Sequence, residues 1–420
     1  MSTVANKRVS TTFRSLRVRN YRLYFTGQAV SLMGTWMQRV AQSWLVLELT
    51  SSGTAVGTVT AFQFLPLLLL APLGGAIADR FDKRRILYVT QSMAAVSALG
   101  LGVVVVADMV QLWMVYVSAV LLGIAAAFDN PARQTFVEEM VGRSQIQNAV
   151  SLNTTLVNAA RIVGPAIGGF LIVGVGIGWC FILNGISYIS LVVALMAMNA
   201  DELHPSTRTT RGRGQVIEGF KYVARTPAVR TPLILITVAG FFVYEYSVVL
   251  PLLARFTFGG DAQTFAGMSS AMGVGAVFGG LIAASRVQHI PVWLARTGLI
   301  FGVMQVVVSL GPTLWMVYIL LAVVGACSVT FIAMANTTLQ LTAEPSVRGR
   351  VMGMYVLAFF GTTPFGATLM GWLGEVVDPR FAMGFGGATL ILAALYALPR
   401  LGREPLVGGL KEDIPPPAKI

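Results

Sequence analysis

The sequence predicts an all-α membrane protein, with twelve transmembrane helices in two pseudosymmetric six-helix bundles. Three observations carry this. Of 420 residues, 55% are hydrophobic and 11% charged, against about 25% charged in soluble domains. The apolar residues fall in twelve runs, each close to the roughly 20 residues that cross a bilayer. Short patterns also recur at nearly one offset. "GGAIA" at 74–78 returns as "GGLIA" at 279–283, and Asn130, Gln134 and Glu138 return as Asn336, Gln340 and Glu344, offsets of 205 and 206. A duplicated six-helix unit explains both matches.

The runs lie at about 22–48, 53–78, 86–107, 110–131, 147–175, 178–198, 230–254, 264–284, 292–310, 313–335, 351–374 and 380–399. Most joints are short and carry turn residues, such as "TSSGT" and "GVGIG". The long exception is polar and basic. The expected organisation is therefore an N-terminal bundle over 1–198, a cytoplasmic linker over 199–229, a C-terminal bundle over 230–400 and a cytoplasmic tail over 401–420.

The net charge of +12 comes from 30 Lys and Arg against 18 Asp and Glu. With a cytoplasmic N-terminus, 26 of the 30 bases fall in inner segments, two (Arg255 and Arg380) in outer loops, and two (Arg39 and Arg161) inside spans. That asymmetry orients a membrane protein with both termini cytoplasmic. It does not indicate nucleic acid as a partner, and no nucleic-acid module is visible. Cys180 and Cys327 lack neighbours at metal spacing, so no metal and no cofactor is expected. No nucleophile–base pair or phosphate loop lies near the spans, which argues against an enzyme.

Polar residues inside spans mark candidate functional positions. Gln28, Ser31, Thr35, Arg39 and Gln42 share one face of the first span. Ser151, Thr154, Asn158 and Arg161 share one face of the fifth. Both stripes read as walls of an internal cavity. Glu245 is the one acid near the middle of a span, with Phe241, Phe242, Tyr244 and Tyr246 about it as an aromatic pocket. Burial disfavours a charged carboxylate and a nearby Arg39 or Arg161 favours it, so Glu245 is the candidate proton carrier. A permanent Glu245–Arg39 salt bridge is the competing reading. Candidate cargo contacts are Gln28, Thr35, Gln42, Asn158, Phe241, Phe242 and Tyr246.

The loop "LGGAIADRFDKRRIL" resembles the signature loop of the major facilitator superfamily, roughly G-x-L-A-D-R-x-G-R-K. Gly75, Ile77, Ala78, Asp79, Arg80, Lys83 and Arg84 fit, and Asp82 stands where the family has Gly. Gly75 would let two helices approach, Asp79 would accept from a facing helix N-terminus, and Arg80 and Arg84 would pair with acids. The resemblance implies a latch for the outward-facing state, with Asp129 of the fourth span pairing with the loop's basic residues. The second copy has Ala284 in place of Asp79. "RIVGPAIGGF" resembles the superfamily's antiporter motif. Gly164, Pro165, Gly168 and Gly169 match, and Ala160 replaces the first Gly. An Arg motif of the fourth span is missing, with Ala119 at its place.

The wording of the first span and of "FDNPARQTFV" is similar to a bacterial branch of secretion transporters that includes enterobactin-type siderophore exporters. The resemblance implies the major facilitator fold and a monomer in the inner membrane. It also implies a proton-coupled alternating-access exporter of hydrophobic or amphipathic small molecules, drugs or a secreted metabolite. A dedicated siderophore exporter is one alternative. An uncoupled facilitator or importer, or a transport-dead sensor, is another.

Overall fold

A computed structural model describes residues 13–204, 221–285, 291–344 and 347–401. The described residues are helical nearly throughout. In hydrocarbon, backbone N–H and C=O groups must bond within the segment, and the helix achieves this. The helices are α1 (Arg19–Thr50), α2 (Gly53–Arg80), α3 (Lys83–Val106), α4 (Leu112–Val141), α5 (Ile146–Gly174) and α6 (Ile177–Met196) in the first half. The second half has α7a (Pro227–Phe242), α7b (Tyr246–Leu252), α8 (Ala262–Ser285), α9 (Pro291–Ser309), α10 (Leu314–Thr342), α11a (Arg348–Phe360), α11b (Thr363–Val376) and α12 (Pro379–Leu401).

Among the described residues, eleven segments are long and apolar enough to cross a membrane. The 32-residue α1 is not among them by composition, because its polar stripe lowers its hydropathy. It packs against α5 and α6 as a full-length member of the first bundle. Two predicted spans are broken. The seventh opens at Val243–Glu245 and the eleventh at Gly361–Thr362, just before Pro364, so Glu245 stands at a helix break. Large exposed apolar side chains such as Phe170, Leu281 and Trp315 suit a lipid solvent.

Turn chemistry sets the joints. Ser51 ends α1 with φ 50°, and the Ser52 hydroxyl caps α2 by accepting from Ala55 N at 3.1 Å. Asp82 caps α3 through Arg84 N at 2.8 Å. The repeat has a packing basis. A methyl group added at Gly74 would collide with the Ala127 carbonyl, closing α2 on α4. In the second half one at Gly279 would collide with Ala326, closing α8 on α10. Small residues allow backbones to approach in membranes, where apolar surface gives no drive between helices.

The two halves meet along two seams, α2 with α11b and α5 with α8. Call the end where α1 begins the near end, and the other the far end. At the far end contact is tight. A side chain at Gly57 would strike Ala367, Gly53 and Gly371 abut through backbone, and Gly169 fits Ala266. Ser270 Oγ donates to Ile162 O at 3.2 Å. Towards the near end, Phe64 stacks on Phe360 and Leu68 meets Gly361, while Leu69, Ala71, Pro72 and Leu73 are exposed. On α5, Ser151, Thr154 and Thr155 are exposed as well. The halves thus enclose a cleft that is shut at the far end and open at the near end.

Gly57→Leu is expected to wedge this seam, at about 1–3 kcal/mol for overpacking. Spin labels across the far end should then move apart, and an unchanged distance distribution would contradict the assignment of the seam.

Candidate functional site

The floor of the cleft is built by α1 and α5. A side chain at Gly164 would overlap Trp36 Cβ, so this glycine seats the indole of α1 against α5. The Arg39 guanidinium carbon lies 4.4 Å from the centroid of the Trp36 ring and that of Arg161 lies 5.2 Å from it. Arg39 is exposed between buried Gln38 and Val40, and Arg161 is half-buried. Neither makes an ion pair or side-chain hydrogen bond among the described residues, and Arg161 Nε is buried without an acceptor. The two charges lie within about 10 Å, where like charges repel by about 1.7 kcal/mol at an effective dielectric of ~20. Gly273 of α8 packs on the backbone of Arg161 and Ile162, so the pair sits where the two bundles begin to part.

Across the cleft, the break in the seventh span presents Tyr244, Glu245 and Tyr246. Tyr244 OH donates to Ser328 O at 2.7 Å and its ring packs on Phe301 and Phe359. The Tyr244 hydroxyl lies within electrostatic range of Arg161. Tyr246 turns into the second bundle, donating to Gln305 Oε1 at 3.0 Å. The Phe241 and Phe242 rings meet at a tilt with centroids 4.5 Å apart, and Phe242 also meets Phe385 of α12 edge-on. Glu245 is 2% exposed, and its Oε1 has no hydrogen-bond partner. Thr363, at the start of α11b, is in hydrogen-bonding reach of the carboxyl group. No Lys or Arg pairs with Glu245 among the described residues. The structure therefore gathers Arg39 with Arg161 and holds Glu245 apart from both.

The polar stripe of α1 is mostly a seam between helices. Gln28 is buried and accepts from Arg133, Ser31 and Gln42 are buried, and Thr35 shares a 3.2 Å hydrogen bond with Tyr188 of α6. Only Arg39 of this stripe is exposed. The α5 stripe, including half-buried Asn158, is open along the cleft.

Asp129 does not pair with the loop's basic residues. It is buried, so it bonds what lies beside it: Arg133 one turn on at 2.6 Å, Gln91 at 2.7 Å and Thr90 at 3.0 Å. Arg133 also donates to Tyr24 and Gln28, tying α1, α3 and α4 together. The i, i+4 spacing of Asp129 and Arg133 was the available signal. Arg84 does not pair with an acid either. Its Nε donates to Leu195 O at 2.9 Å and its Nη2 to Met196 O at 3.2 Å, because the end of α6 offers unpaired carbonyls. Lys83 is the loop residue that takes an acid, Glu139 of α4. Asp79 is half-buried and Arg80 exposed. Gly75 is buried, and its neighbour Gly74 makes the close contact with α4. The antiporter-like residues Gly164, Pro165, Gly168 and Gly169 are all buried, with Gly164 and Gly168 towards α1 and Gly169 towards α8.

One contact at the far end had no sequence signal. Glu375 of α11b accepts from Ser52 Oγ at 2.7 Å and Thr54 N at 2.8 Å, so a carboxylate of the second half caps the first turn of α2.

Two six-helix halves about a cleft with two arginines on its floor define a membrane transporter of the major facilitator fold. The chain belongs to the transmembrane secretion effector family, whose profile it matches over residues 10–403. It is similar to the multidrug efflux pump Tap of Mycolicibacterium fortuitum, at 29% identity over 88% of this chain and 93% of that one. It is similar to the staphyloferrin A transporter of Staphylococcus aureus, at 23% identity over 84% and 89%. It also resembles the enterobactin exporter EntS of Escherichia coli O81, at 22% identity over 92% and 94%. A POT family transporter solved with a thioalcohol-conjugated peptide superposes with a TM-score of 0.75 at 13% identity, over 91% of this chain and 96% of that one. These comparisons make the chain a transporter of exporter kinship and not an enzyme.

Removing one partner of a buried ion pair costs about 3 kcal/mol. Asp129→Ala should therefore lower the melting temperature of the detergent-solubilised protein clearly more than Asp129→Asn, which keeps an acceptor for Thr90 and Gln91. Equal melting of the two would show that the network carries no stability.

Proposed function

We propose that this chain is a proton-coupled alternating-access exporter of hydrophobic or amphipathic small molecules, with Glu245 as the proton carrier. The observation that carries the reading is a carboxyl group 2% exposed, at a helix break beside the cleft, with an unbonded oxygen and no cation paired with it among the described residues. Packed protein tolerates such a group in its neutral form. The break leaves its backbone outside both helices, so a small rearrangement can bring it to water. In the cycle, cargo enters from the open end and the carboxyl gives up its proton there. After the halves rock, cargo leaves and a proton returns from the other side. One proton moving through ~150 mV supplies roughly 3.5 kcal/mol, enough for about a 300-fold gradient of a neutral cargo.

The bias of 26 bases to two supports a cytoplasmic near end, which makes the open end the cytoplasmic one. In this reading the protein is an inner-membrane monomer. Residues 1–198 and 230–400 are its moving halves, 199–229 its linker and 401–420 its tail. The loop around Gly75, Asp79, Arg80 and Arg84 engages α11a once the near end closes. Asn158, Phe241 and Phe242 are the proposed cargo contacts. The names of the efflux and siderophore relatives support a drug or a secreted metabolite as cargo.

Glu245→Gln should abolish uptake driven by an acidic lumen in everted vesicles, while exchange of cargo down its own gradient persists. A Glu245→Gln protein that still concentrates substrate at the expense of a pH gradient would remove this residue from coupling.

A further inference from the structure

We infer that Arg39 and Arg161, gathered on the Trp36 ring, form an anion-recognition subsite, and that the cargo carries a carboxylate on an aromatic or otherwise apolar body. This names the substrate class of the cleft and rests on the export reading above.

The inference starts from unmatched charge. Two guanidinium groups share one indole at the cleft floor, and neither forms an ion pair among the described residues. Acids elsewhere in the described residues have partners of their own: Asp129 holds Arg133, Glu139 holds Lys83 and Glu375 caps α2. Apart from Asp129 and Glu245, the described acids lie at or near helix ends. Glu245 is buried in the opposite bundle and pairs with neither arginine. Arg161 Nε is a buried donor with nothing to bond. A planar guanidinium presents paired N–H groups that match a carboxylate in two parallel bonds. The opposite wall offers the half-exposed Tyr244 with Phe359 behind it, a surface for the apolar body.

The charge balance agrees with export. A turnover that carries one carboxylate out and one proton in moves two charges in the same electrical direction. An interior-negative potential favours both movements. Export of a carboxylate should thus respond to voltage more steeply than export of a neutral analogue.

The test is equilibrium binding to the purified protein in lipid nanodiscs, using three probes of one shape: 2-naphthylacetate, its neutral amide and 2-naphthylethylamine. Naphthylacetate should bind about 10-fold tighter than the amide, and the amine weakest. Arg39→Gln and Arg161→Gln should each remove the preference for the acid while leaving the amide's affinity in place, which also reports that the cleft is intact. Should either Gln variant fail to fold, Arg39→Lys and Arg161→Lys decide: they keep the charge but not the paired N–H face, so the preference for the acid should fall severalfold, and an unchanged preference would overturn the inference. Equal affinity for acid and amide, preference for the amine, or no binding of any probe would overturn the inference. So would abolition of the acid's advantage by physiological chloride or inorganic phosphate, which would mark a small-ion site. Because binding is read without a proton gradient, failure here is distinct from failure of Glu245→Gln to uncouple transport.

Discussion

An ionised side chain in hydrocarbon is costly unless another charge, hydrogen bonds or water attends it. The buried charges of this molecule answer that constraint in three ways. Asp129 and Arg133 neutralise each other and recruit Tyr24, Gln28, Thr90 and Gln91, so they bind three helices of one bundle into a rigid body. Arg39 and Arg161 are left unmatched and face the space between the bundles. Glu245 is enclosed in the second bundle, with one carboxyl oxygen unbonded and no cation paired with it among the described residues. Matched charge holds a bundle together, and unmatched charge belongs where the bundles separate.

Much of the architecture was legible because the bilayer imposes a length on apolar runs and the gene repeats a unit. The matched pattern "GGAIA" and "GGLIA" proved to be one packing solution used twice, Gly74 on α4 and Gly279 on α10. The site was legible by residue type and less so by partner. Spacing along a helix showed that Gln28 and Arg39 share a face, but not that Gln28 would be claimed by Arg133 of α4. The resemblance implies a partner for Asp129 in the distant loop, and the structure gives it Arg133, one turn away on its own helix. The break at Val243–Glu245 has no proline or glycine to announce it, whereas that at Gly361–Thr362 does. Contacts between elements far apart in the chain, such as Glu375 with Ser52 and Thr54, leave no local pattern to read.

The antiporter-like residues acquire a physical role from where their missing side chains would fall. Gly164 admits the Trp36 side chain that both arginines share, and Gly169 admits α8 of the other bundle. One stretch of α5 thereby builds the charged floor of the cleft and part of the seam that closes above it. The same helix ties the two bundles directly, since Ile162 accepts from Ser270 of α8 one residue beyond Arg161.

The Glu375 clamp has a mechanical implication. Along α2 and α11b the far seam is glycine against backbone, a surface with little to grip, and the clamp is a solvent-exposed carboxylate on a helix end. Water can replace each of its bonds at small net cost. A door held this way stays shut without sticking, so the far seam can part and re-form without a strong contact to break.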